Sequence, residues 1–254
     1  MGIGGSAIGS CAPFEGIKKM INTPKIYKMR IVFRLAQDPA KHLNIFNAVR
    51  KMILASGLAT EPAKVNPHWP RFAYGPAAAQ DMRTEREYVD IYLRKRYSRE
   101  EVTRALVQGA PPGLEILQVV RVPYPLPSVQ NLAAAARYRV QGDFVSLAET
   151  GRELVPIEVW AGAKDIYVSL RADNGIVNQQ SLRPFVREAV TLSPQEVALT
   201  LVPVKNKWVP AQWVIAAWLG IEVPAPGDSF QLEELIFTRQ TLYWQDSQGE
   251  FHPM

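Results

Sequence analysis

The residues that could do chemistry are densest in "VNPHWPRFAYGP", Val65 to Pro76, where prolines bracket His68 and Trp69 and lead to Arg71. An aromatic ring, an imidazole and a guanidinium on one stiff loop suit stacking on bases and contact with phosphates. The same residues also suit a loop that packs Trp69 inward and leaves its polar groups wet. Pro67 and Pro70 restrict the backbone, so His68 and Arg71 have little entropy left to lose on binding. Recognition therefore fits this loop better than metal capture.

Other chemistries find less to work with. His42 falls in the first turn of an expected helix, and a following loop that folds back could bring His68 beside it. That pair would make a small-molecule site only in a shared pocket with a carboxylate in reach. A zinc site wants three or four ligands, and the chain has no C-x-x-C or H-x-x-x-H spacing, so no metal is expected. His252, near the C-terminus, is expected to be disordered. No G-x-S-x-G elbow or P-loop lysine motif occurs, and glycines 2, 4, 5 and 9 do not give G-x-G-x-x-G after a strand. No cofactor and no catalytic residue are therefore assigned. Trp213 and Trp218 sit among Val214, Ile215 and Leu219, which reads as core packing rather than a stacking platform.

The 254 residues can bury a substantial core, and 47% hydrophobic with 21% charged residues is ordinary for a globular protein. No apolar run is long enough for a membrane span. The single Cys11 can form no intramolecular disulfide, and the opening residues make a poor secretory signal, so a cytoplasmic setting is expected. The net charge of +5 permits nucleic-acid contact without demanding it. Residues 1–34 hold six cations against the one acid Glu15, the stronger electrostatic candidate. Residues 81–104 interleave seven cations with six acids and read as a solvated face with local ion pairs.

Periodicity supplies the elements that must hold these side chains. Residues 1–27 read as a flexible tail. A half-buried strand is expected over "KMRIVFRLA". A helix follows, with Asp38 as N-cap, Pro39 at its first position and Gly57 as its stop. Phe72–Tyr74 and "EYVDIYLRKRY" read as strands, and "SREEVTRALVQG" as a helix with a Ser98–Glu101 capping box. "LEILQVVRV" returns as a strand. This order, βαββαβ, predicts a ferredoxin-like α+β half over 28–122. A proline-rich linker over 123–135 separates it from a related, more β-rich α+β half over 136–254. There "ARYRVQGDF", "PIEVWA", "DIYVSLRA", "EVALTLVPV" and "EELIFTRQTLYWQD" read as strands and "PAQWVIAAWLG" as a helix.

Four stretches resemble a bacterial family of radical SAM-linked proteins, which occur fused behind a radical SAM enzyme or as separate chains. "KHLNIF" at Lys41–Phe46 is similar to the family's helix start, with Asn44 for the usual aspartate. "NPHWPRFAYGP" keeps Asn66, Pro67, His68, Pro70, Arg71, Gly75 and Pro76 of its loop motif, with Trp69 as an insertion. "LRPFV" at Leu182–Val186 and "TRQTLYW" at Thr238–Trp244 match two later elements. The resemblance implies no activity of its own. Radical chemistry in fused relatives would belong to the S-adenosylmethionine and iron–sulfur module, which needs three cysteines. It implies a non-catalytic adaptor that positions a substrate, with a nucleic acid as one candidate, for a separate radical SAM enzyme. The expected binding surface comprises His42, Asn66, His68, Trp69 and Arg71, with Arg183 and Arg239 completing an anion-binding cleft between the halves. Direct RNA binding and a small-molecule enzyme near His42 and His68 are the alternatives.

Overall fold

Alternation sets the first strand, β1 (Tyr27–Leu35), in which Met29, Ile31 and Phe33 face one side while Lys28, Arg30 and Val32 face the other. The computed structural model describes residues 25–35, 45–78, 82–149, 151, 153–225 and 232–254. Helix α1 (Ile45–Ala55) lays Val49, Met52 and Ile53 on the first of those faces, and Gly57 follows it at φ +67°. Asp38, Pro39 and His42, which were expected to open this helix, lie outside the described residues, as does most of the expected tail. Strands β2 (Phe72–Tyr74), β3 (Arg83–Thr84) and β4 (Glu87–Leu93) come next.

Helix α2 (Arg99–Gly109) has the expected capping box. Ser98 accepts from the Glu101 N–H, and the Glu101 carboxylate accepts from the Ser98 N–H. Gly109 ends α2 against α1, where a Cβ would stand 2.7 Å from the Met52 carbonyl. Strand β5 (Leu114–Val122) completes an antiparallel sheet ordered β2–β4–β1–β5. Its helix-side core joins Met29, Ile31, Phe33, Val89, Ile91 and Leu93 to α1 and α2.

The segment expected to be a linker is instead a strap. Helix α3 (Val129–Leu132) leads straight into β6 (Ala133–Gln141), so the second sheet begins inside the range expected for the linker. Lys28, buried in β1, donates to the Leu126 and Pro127 carbonyls, and Asp90 accepts from the Val129 N–H at 2.8 Å. Burial lowers the Lys28 pKa, with Arg30 adding to the effect against the pull of Asp90.

Two short helices follow, α4 (Phe144–Leu147) and α5 (Ile157–Ala161). The latter corrects the strand expected at "PIEVWA". The Val159 and Trp160 N–H groups both donate to the Pro156 carbonyl, so proline opens a helical turn that the β-branched Ile157 and Val159 disguised. Strands β7 (Tyr167–Arg171) and β8 (Val177–Ser181) form a separate hairpin. Strands β9 (Val186–Ser193) and β10 (Glu196–Leu201), helix α6 (Ala211–Leu219) and strands β11 (Ile236–Gln245) and β12 (Phe251–Pro253) complete the chain. Gly220 closes α6 at φ +80°, as its position past the apolar run predicted.

The second sheet runs β12–β11–β6–β10–β9 with these neighbours antiparallel, and β3 joins it by pairing parallel to β11. Among the described residues the architecture is mixed α+β, with three sheets and short helices. The two larger sheets meet through one core. Val32, Tyr88 and Val129 from the first part pack among the buried residues of the second. Trp218 belongs to that core, donating its indole N–H to the Val155 carbonyl and lying 5.2 Å from Phe144. His252 is not disordered but sits in β12, stacked on Trp244.

Candidate functional site

Asn66 organises the proline-bracketed loop. Its side-chain oxygen accepts from the His68 N–H at 3.0 Å and its carbonyl from the Trp69 N–H at 3.0 Å. Together these form an Asx turn that competes with any regular structure here. The Trp69 carbonyl takes the Ala63 N–H, and Arg71 is clamped between Glu61 and Tyr92 by backbone bonds. The result is a short hairpin moored to the end of β4 through the bridge between Thr60 and Leu93.

His68 is exposed at the tip of that hairpin. Trp69 is neither sealed inside nor loose: it remains 40% exposed while the Arg50 guanidinium lies 4.3 Å from its ring centroid. The guanidinium that accompanies Trp69 is therefore Arg50 of α1, not Arg71. Arg71 instead stacks 4.2 Å from the centroid of Tyr92, which meets Tyr124 edge-on at 6.3 Å. Burial, with Asp90 nearby, raises the Tyr92 pKa. Sequence reasoning missed Arg50, though a signal existed. Phe46 and Arg50 are one helical turn apart, and Phe46 packs 4.9 Å from Phe72 just beyond the loop.

The two distant arginines behave differently from expectation. Arg183 is exposed and donates to the Val186 carbonyl, bracing its own turn. Arg239 is 1% exposed and lines no open cleft. It donates to Glu87 at 2.5 Å and to the Pro76 carbonyl at 2.7 Å, while Tyr74 donates to the other Glu87 oxygen at 2.9 Å. Desolvation works against the charge on Arg239, but Glu87 together with Tyr138 and Tyr74 outweighs this and raises its pKa. Burial, reinforced by Glu87, drives the Tyr74 phenol far above its usual range, and burial also raises Tyr138.

This knot gives the motif residues Gly75 and Pro76 a structural role. A Cβ on Gly75 would stand 3.1 Å from Leu242 of β11, so glycine lets the first part approach that strand closely. A second buried pair lies nearby. Arg30 grips Asp90 with two bonds, 2.8 and 3.2 Å long, and Asp90 is fully buried. Glu87 and Asp90 belong to the segment that reads as a solvated face. Both are interior, and their partners come from elsewhere in the chain.

One further group gathers metal-ligating types. Asp246, Glu250 and His252 offer ligand atoms within 4.8 Å of one another at the β11–β12 turn. Asp246 accepts from the Gln248 and Glu250 N–H groups and pairs with His252 at 2.7 Å. The His252 bond is the main cause of its lowered pKa. These bonds account for the turn. His42, the expected partner of His68, lies outside the described residues.

No curated protein matches the chain. Residues 40–209, more than half of the sequence, match a family model that takes in the loop, the strap and most of the second sheet. The chain belongs to that family, described as an uncharacterized protein conserved in bacteria (DUF2344).

Proposed function

We propose that the chain is a non-catalytic binding protein that holds a substrate for a separate radical SAM enzyme, with the Asn66 hairpin as its contact surface. One observation carries the reading: the hairpin keeps His68 exposed and fixes Trp69 against Arg50. A stacked, half-open aromatic beside an imidazole is a rigid contact whose ordering cost is met in folding. The choice of a radical SAM enzyme as partner rests on the resemblance of the sequence motifs alone.

The first part is read as a ferredoxin-like unit and the second as its relative, with the β7–β8 hairpin inserted and β12 added. The orders β2–β4–β1–β5 and β9–β10–β6–β11 place corresponding strands alike, which supports this. The test is size-exclusion chromatography of the chain with radical SAM enzymes from the same genome. Co-elution at micromolar concentration that is lost in a His68→Ala/Trp69→Ala variant supports the reading. No co-elution with any of them overturns it.

A second reading, direct RNA binding, is favoured by the charge at one end of the first sheet. Register sets Tyr27 beside Leu93, and Lys25, Lys95, Arg96, Arg99 and Arg121 surround that end. Lys25 and Lys95 lie 5.9 and 5.5 Å from the rings of Tyr27 and Tyr97. Of the cations there, Arg94 pairs with Glu61. The sheet face itself is occupied, since Tyr88 and Val32 pack into the second core, so binding would use this end. Fluorescence anisotropy with a single-stranded RNA should then give a log–log salt slope of roughly −3 to −4 for about five phosphate contacts. A flat response removes this reading.

A further inference from the structure

We propose that the cleft where β3, β6, β11 and β12 meet binds a small phosphorylated anion, a site separate from the hairpin surface. Strand β11 changes partners along its outer edge. It pairs with β3 at Thr238 and Arg239, then with β12 from Tyr243 to Gln245. Between those pairings the register against β6 also shifts, at Arg239 and Thr241, the mark of a bulge. The gap opens a cleft of about 330 Å³, near the lower end of the size range of small-molecule sites.

Its lining is polar and unbalanced in charge. Arg86 reaches it from the first part of the chain and Arg137 from the middle of β6, with Gln240, Thr241 and Tyr243 between them. Neither Arg86 nor Arg137 meets a carboxylate among the described residues. The one acid in the lining, Glu85, is bound to Arg139 at 3.0 Å. A buried arginine has a counter-charge, as Arg30 and Arg239 do here, and Arg137 lies half-buried on the central strand β6. Arg137 has none, and an anion in the cleft would supply it to Arg86 at the same time. Planar guanidinium forks match carboxylate and phosphate oxygens alike two at a time, and two forks lining one cleft suit a phosphate, whose larger charge and three free oxygens can engage both. The cleft resembles the inter-half anion site expected from the sequence, but its arginines are 86 and 137 rather than 183 and 239.

The experiment is isothermal titration of the full chain with inorganic pyrophosphate, adenosine monophosphate and, as a non-phosphate polyanion, citrate. Saturable binding of a phosphorylated probe is expected at sub-millimolar concentration. It should weaken by about ten-fold or more in Arg86→Gln and in Arg137→Gln, each removing charge-assisted bonds. His68→Ala and Arg183→Gln should leave it unchanged, which separates this site from the hairpin and from diffuse surface charge. Arg86 lies outside the strands, so its variant tests the site even if Arg137→Gln disturbs the sheet. Absence of binding, equal loss in Arg183→Gln, or binding of citrate alone overturns the proposal.

Discussion

Replacing Arg239 with methionine removes a cation of similar length from a place that water does not reach. The structure specifies what is left behind. Glu87 keeps a single bond, from Tyr74 at 2.9 Å, and the Pro76 carbonyl loses its donor. Breaking a buried ion pair from one side costs about 3–5 kcal/mol, and orphaning a buried carbonyl adds about 1 kcal/mol or more. The sum, about 4–6 kcal/mol, is a large share of the stability of a typical protein. In a chain of this size it corresponds to a fall in Tm of roughly 10–20 °C. Urea denaturation followed by circular dichroism measures the loss. The double variant Glu87→Leu/Arg239→Met should recover part of it, because no charge is then stranded. A loss below about 1 kcal/mol in the single variant, or a double variant no better than the single, would refute the reasoning.

Tyr74, Tyr92 and Tyr138 have pKa values raised chiefly by burial. Their contribution to stability is complete below the unfolded value near 10 and is lost as pH climbs past it. Alkaline titration followed by phenolate absorbance should show these three of the nine tyrosines ionising late, together with unfolding. Uniform ionisation of all nine in the folded protein would contradict the burial. Ser98→Ala should cost about 1 kcal/mol by removing half of the α2 capping box, measured as a shift in urea midpoint. Gly142→Ala should cost about 1–3 kcal/mol, because φ is +154° and its Cβ would stand 2.3 Å from Leu235 Cδ2. Thermal melts check this last expectation.

What the sequence made legible was local. The Ser98–Glu101 box, Gly220 after α6 and the alternation through β1 involve residues within a turn or two, and each is where its pattern placed it. Strand β8, "VNQQS", escaped because it is largely exposed and lacks an apolar alternation, and β3 escaped because two residues carry no period. The interior carboxylates escaped for a different reason. Glu87 and Asp90 sit among arginines in sequence, but their partners are 152 and 60 residues away, a pairing that tertiary packing alone decides. In the candidate hairpin, His68 is exposed, as both readings of the loop expected. The stacking partners did not follow, because Arg71 is held to the edge of β4 while Arg50 arrives from a helix.

The Glu87–Arg239 tie also has a consequence for synthesis. The ribosome finishes the whole first sheet by Val122, yet the guanidinium that neutralises its carboxylate is still unmade. At roughly 5–20 residues per second, the 117 residues from Val122 to Arg239 (239 − 122) take about 6–23 s to translate. Throughout that interval the nascent first sheet carries an unanswered negative charge at its seam, together with the bare faces of Val32 and Tyr88. Translation speed across the second half thus sets how long the emerging first sheet stays open to wrong partners before β11 locks it.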